Sequence, residues 1–288
     1  MGWLNAIVQG LLLGGLYALF ATGLSLMFGV MRIVNLAHGD LAVVASFLAL
    51  ALVGGTGLPL WAIVVVTVPL FAALGYLTQR VLLQRSLSSG PLATLLVTFG
   101  LSIVLQNVLL ELFSADTRTL DGGRFATGSF EISGAVSVGY LSLTTFVLAA
   151  AALIGIQLFL SRTGLGRMLR ASSDDRETAS LMGADSRHVY GVATAIAFAT
   201  VALAGLMFAI RSSFDPAIGP SRLIFAFEAV VIGGLGSLWG TLLGGMVLGV
   251  TQSLSAQADP ALTLLAGHLI FLAVLAFRPQ GLLAGRTA

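Results

Sequence analysis

Residues 14–40 read GGLYALFATGLSLMFGVMRIVNLAHGD. A long apolar, glycine-spaced run meets a short polar knot of Arg32, Asn35, His38 and Asp40. A second apolar run, 41–53, begins at once. Polar groups set hard against apolar spans are costly in lipid, so they are kept where they face protein or water, and they mark paths more often than packing. The knot has two readings. One is a set of helix ends meeting water at the membrane face. The other is a polar lining or gate.

Composition makes the bilayer the solvent. Of the 288 residues 57% are apolar and 9% charged, and the mean hydropathy is +1.01. Such a chain has too few polar side chains to cover a soluble surface. Runs of about 20 apolar residues cross about 30 Å of hydrocarbon as helices. The runs are continuous rather than alternating, which disfavours a β-barrel. There is no cysteine, so disulfide and thiol chemistry are excluded, and there is no lysine. A net charge of +2 from scattered arginines does not suit nucleic acid. The opening MGWLN lacks the basic flank of a cleavable signal, and the first run reads as a retained span.

The expected fold is an all-α polytopic membrane protein, one membrane domain over 1–288. It has about eight spans, at 5–31, 39–53, 59–82, 91–113, 139–161, 189–211, 222–256 and 262–277. Pro69 predicts a kink in the third. Arginines set the orientation. Arg80, Arg85, Arg162, Arg167, Arg170, Arg176, Arg187, Arg278 and Arg286 fall on one side with Arg32. Only Arg118, Arg124, Arg211 and Arg222 fall on the other. The richer side is read as cytoplasmic, so the N-terminus is outside and the C-terminus inside. The segment 222–256 must then start and finish outside. Gly233, Gly234, Gly236 and Gly240 at its middle predict a broken or re-entrant pair. In the outer loop, 114–138, Asp121-Gly122-Gly123 is a turn signal, and its flanks predict a small β-hairpin.

The inner loop, 162–188, predicts a two-turn amphipathic helix. Asp174 is its expected N-cap, Glu177 the reciprocal capping group and Gly183 a left-handed C-cap. Such a helix between two spans is either an ordinary solvated loop or a lever that a soluble partner can grip.

Several motifs resemble one family in order. They are Tyr17-Ala18-Leu19 with Gly29 and Asn35-Leu36-Ala37-His38-Gly39-Asp40; Gly164-Leu165-Gly166-Arg167, Arg170-Ala171, Ala179 and Leu181-Met182-Gly183; Phe214-Asp215-Pro216 with Gly219; the run Gly233 to Gly240; and Arg278-Pro279-Gln280-Gly281-Leu282. Together they are similar to the LivH-type permeases of branched-chain amino acid ABC importers. The resemblance implies a transport subunit of the bacterial inner membrane. It would pair with a second homologous permease, two cytoplasmic ABC ATPases and an external solute-binding protein. Substrates would be leucine, isoleucine and valine, or in relatives urea, amides and small carboxylates. Gly166, Arg167, Arg170, Asp174, Glu177, Ala179, Leu181 and Gly183 are then candidates for ATPase coupling. Arg32, Asn35, His38, Asp40, Glu228, Gly233, Gly234 and Gly236 are candidates for the pathway or its gate.

No enzymatic role is expected. A P-loop needs its lysine on the phosphates, and the chain has none. No cofactor or metal is expected either: His38 and Asp40 are two apart, and His188 and His268 lie far along the chain. Ser237 and His268 have the flavour of a protease dyad, which needs hydrogen-bond contact between them. Glu228 is a carboxylate inside an apolar segment and needs a partner; Arg222 or Arg211 is expected, with a role along the route or at the glycine turn as the alternative. A standalone channel or carrier is the competing class.

Overall fold

The structure, a computed structural model, describes residues 2–133 and 136–283. Arg286, used above for orientation, lies outside the described residues. In chain order the elements are α1 (Gly2–Met31), α2 (His38–Thr56) and α3 (Leu60–Thr78), which continues through a π turn at Gln79–Leu83 into α4 (Gln84–Leu87). Then come α5 (Pro91–Phe113), α6 (Gly123–Thr127), β1 (Ser129–Ser133), β2 (Val136–Gly139) and α7 (Tyr140–Arg162). The chain ends with α8 (Gly164–Asp174), α9 (Arg176–Leu181), α10 (Ser186–Arg211), α11 (Gly219–Gly233), α12 (Leu238–Ala258) and α13 (Thr263–Phe277).

Among the described residues seven helices are long and apolar enough to span a bilayer. A further pair, α11 and α12, passes that test jointly and is bent by 115° at the glycine run. This is the all-α polytopic architecture the hydropathy predicted. Pro69 lies inside continuous helix, and the irregular turn comes later, at Gln79–Leu83.

The centre is built by close backbone approach. Helices α1 and α12 run antiparallel with Gly10 and Gly14 facing Gly249 and Gly245. A Cβ added at Gly14 would lie 2.5 Å from the Met246 Cα, and one at Gly249 would lie 2.3 Å from the Gly10 carbonyl oxygen. Lipid tails are as apolar as leucine, so helices in a membrane gain most from such tight van der Waals contact. Gly205 of α10 meets the Ala42 carbonyl of α2 in the same way. The Ser46 hydroxyl donates to the Gly205 carbonyl at 2.9 Å. Around this core α3, α5, α7 and α13 expose leucine and valine along most of their lengths.

The expected hairpin forms between α6 and α7, with Phe130 opposite Val138 and Glu131 opposite Ser137. The Asp121-Gly122-Gly123 signal does not join its strands, however. Asp121 Oδ1 accepts from the Gly123 amide and starts α6 instead. The C-terminal segment has a structural task. The amides of Leu282 and Leu283 donate to the carbonyls of Ile232 and Gly233, at 2.8 and 2.9 Å, and so satisfy the open end of α11.

Candidate functional site

Three places collect the sequence-predicted residues, and the first is the excursion between α7 and α10. It holds two helices rather than one. Thr163 caps α8 by accepting from the Gly166 amide at 2.9 Å. Leu169 is fully buried against the membrane body and anchors α8. Because α8 runs on to Asp174, that residue ends a helix instead of starting one. The N-cap of α9 is its neighbour Asp175, whose Oδ1 accepts from the Glu177 and Thr178 amides at 2.9 and 3.1 Å. The Thr178 hydroxyl donates to Asp175 Oδ2, and these hydrogen bonds, the hydroxyl's first, hold the Asp175 carboxyl below its usual range. Among the described residues the Glu177 side chain makes no reciprocal bond.

Gly183 ends α9 as expected. It has φ +89°, its amide donates to Ser180, and the Ala184 amide donates to Ala179, which is a Schellman closure. The closure leaves Leu181 and Met182 at the tip with 83% and 85% of their surface exposed. Arg167, Arg170 and Glu177 are also exposed, while Ala179 is buried. Gly166 is a packing position. A Cβ there would lie 2.5 Å from the Leu160 Cα.

The second place is the polar knot, which the structure takes apart. Arg32 turns outward with φ +53°. Residues 32–37 then carry the chain back along α1. One ring nitrogen of His38 donates to the Phe20 carbonyl at 2.8 Å, eleven residues before Met31 and so about 16 Å up the helix. The knot is therefore split between an exposed arginine and an interior remainder. Asn35, His38 and Asp40 are buried within the span. Asp40 accepts from the Ser102 hydroxyl and from the Gln106 amide at 3.0 Å, both on α5. It also lies against Gly219, the first residue of α11, where the helix dipole favours an anion. Ser102 and Gln106 were not singled out from sequence. Their signal is a stripe at four-residue spacing, Thr94, Thr98, Ser102 and Gln106.

The third place is the bent pair. Gly234 and Gly236 have φ +113° and +78°, and Gly233 packs on the Gly240 carbonyl. Glu228, 2% exposed, pairs with neither expected arginine. Its partner is Nδ1 of His268 on α13. Arg211 donates to Ser142, and Arg222 stacks 4.4 Å over Phe208. The His268 ring stacks on Phe225, and Phe225 on Tyr17, whose hydroxyl donates to Gln252. Ser237 caps α12 by accepting from the Gly240 amide at 3.1 Å. With His268 committed to Glu228, the protease dyad is not formed.

The arrangement is one of helix ends and buried polar joints in a bundle of apolar helices. A family model described as branched-chain amino acid transport system / permease component matches residues 6–276. The chain belongs to this family. The permease is 33% identical to the high-affinity branched-chain amino acid transport system permease protein BraD of Pseudomonas aeruginosa, over 98% of this chain and 95% of that one. It is 28% identical to the corresponding protein LivH of Escherichia coli, with the same coverages. It is 26% identical to LivM of Escherichia coli, over 93% of this chain and 68% of that one. Among solved structures, PsaBC from Streptococcus pneumoniae in complex with Fab matches over 96% of this chain and 93% of that one, at 17% identity and a TM-score of 0.49. The permease is thus a multi-pass protein of the bacterial inner membrane.

Proposed function

We propose that this permease forms part of the path by which an ABC importer moves branched-chain amino acids. It works beside a second homologous permease, two cytoplasmic ATPases and an external solute-binding protein. Its N-terminus is outside and its C-terminus cytoplasmic. The names of the relatives support the substrate class, and the arginine distribution supports the orientation. The interior polar groups serve as joints of the gate. Asn35 Nδ2, His38 Nδ1 and Glu228 Oε2 are buried without a partner among the described residues, so each is a group whose hydrogen bonding can improve when helices shift.

One observation carries the reading: the exposed Leu181–Met182 tip. Two large apolar side chains held out by a capped helix are costly in water and suited to a protein surface. Helix α9 sits between α7 and α10, so force on the tip reaches a buried central helix. The test is the double variant Leu181→Glu, Met182→Glu in the assembled transporter in proteoliposomes. Solute uptake should fall at least about tenfold, the scale of losing a well-packed interface anchor, while ATP hydrolysis persists. Unchanged uptake overturns the coupling role.

A further inference from the structure

Helices α3 and α7 flank α10 and leave an apolar groove of about 500 Å³ between them. Its walls are Val68 and Ala72 of α3, Gly155 and Phe159 of α7, and Ala195 and Ala199 of α10. Small side chains line it, and it opens on the flank of the bundle.

All three walls turn polar at the same end. One turn beyond Phe159 stands Arg162, and one turn before Val192 stands His188. One turn beyond Ala72 stands Tyr76, followed after another turn by Arg80. These last residues are organised. The Tyr76 ring lies over Gly191, where a Cβ would come within 2.6 Å of it. Its hydroxyl is 2.9 Å from His188 Nδ1 and accepts from Arg80 Nη2 at 2.9 Å. The guanidinium also lies 5.3 Å from the ring centroid. Arg80 is exposed, and the ion pairs among the described residues, Arg118 with Asp116 and His268 with Glu228, give it no carboxylate. An arginine has five donors, and one here is engaged in orienting the rest.

We propose that this groove binds one acyl chain of an anionic phospholipid whose phosphate is held by Arg80. The apolar channel matches a hydrocarbon tail. The uncompensated planar donor at its end matches a phosphate, which arginine grips in bidentate fashion. A basic position between helices at one membrane face is where anionic headgroups lodge. The inference rests on the membrane-spanning architecture and is independent of the import reading.

The test uses full-length protein in mild detergent, offered equal amounts of dioleoyl phosphatidylglycerol and dioleoyl phosphatidylcholine, with bound lipid counted by native mass spectrometry. One phosphatidylglycerol per chain should be retained, about fivefold over phosphatidylcholine, the ratio one cation near an anionic surface provides. Arg80→Ala should erase the preference and Arg80→Lys should keep part of it. Ala199→Phe, which fills the groove, should lower both lipids while leaving the melting profile cooperative. Equal retention of the two lipids, or a preference unaltered in Arg80→Ala, overturns the proposal. So does competition by inorganic phosphate alone at millimolar levels, which marks an ion site without a chain. The chain has no native cysteine, so Ala199→Cys supplies a unique thiol. If that thiol cross-links to another subunit in the assembled transporter, a protein helix occupies the groove and the proposal fails.

Discussion

The seam between α1 and α12 and the tip of α9 are both made by glycine, for opposite reasons. At the seam Gly10, Gly14, Gly245 and Gly249 sit in ordinary helix, and what they supply is the missing Cβ. Partner backbone stands within 3 Å of where it would be. At the tip Gly183 has nothing within 4 Å, and what it supplies is φ +89°. One glycine is chosen by its neighbours and the other by its own dihedral. The seam therefore holds the membrane body together, while the tip shapes a local feature whose loss leaves that body intact.

The difference is open to direct attack. Gly249→Leu puts a branched side chain against the Gly10 carbonyl, an atom of helix backbone that cannot rotate away. Overpacking costs about 1–3 kcal/mol where side chains can adjust, and here the value should reach or exceed the top of that range. The expected outcome is loss of monodisperse protein by size-exclusion chromatography, or a sharply lowered melting temperature. A wild-type profile would mean that the seam is not a close approach. Gly183→Ala should behave otherwise. Alanine in the left-handed region costs about 1–2 kcal/mol. That cost stays local, so amide exchange over residues 176–184 should quicken about 5- to 30-fold with the melting temperature unmoved. A fall in melting temperature to match Gly249→Leu would erase the distinction between the two regions.

The same division decides what was legible in the sequence. Spans were readable to within a few residues because hydrocarbon thickness is a one-dimensional constraint. The break at Gly233–Gly240 was readable because an odd crossing count needed it. Gly183 was readable because a C-cap is set by residues a few positions away. The seam glycines were visible as spacing, but their partners lie more than 200 positions along the chain. Glu228 and His268 are 40 positions apart, and there a nearby arginine was the obvious local choice while the final helix supplied the real partner. The knot misled for a related reason. Arg32 to Asp40 are neighbours in sequence, and only the return of the chain along α1 separates the exposed arginine from the buried carboxylate. At the excursion a whole helix, α8, was not anticipated, and the cap of the expected one was displaced by one residue. Asp174 and Asp175 are equally good caps, and the choice between them depends on α8, which starts at the Thr163 cap on the Gly166 amide and runs through Asp174.

That one-residue difference gives the smallest effect, and it separates local from tertiary control most cleanly. The Asp175 carboxyl lies below its usual range because the Thr178 hydroxyl and the amides of Thr178 and Glu177 donate to its charged form. A carboxyl depressed in the folded state stabilises the fold at and above its ordinary value, and that contribution is lost as pH falls through the lower, folded value. The α9 cap should therefore hold from neutral pH down through the ordinary carboxylate range near about pH 4, and open only below it. Amide exchange at Glu177 and Thr178, corrected for intrinsic rate, reads this directly. Asp175→Asn should flatten the dependence, since the amide oxygen still accepts but carries no charge to lose. Asp174→Ala should leave it intact, because that residue closes α8 and touches neither amide. If Asp174→Ala and Asp175→Asn shift the profile alike, the two carboxylates share the cap, and the boundary between α8 and α9 is not fixed at Asp175.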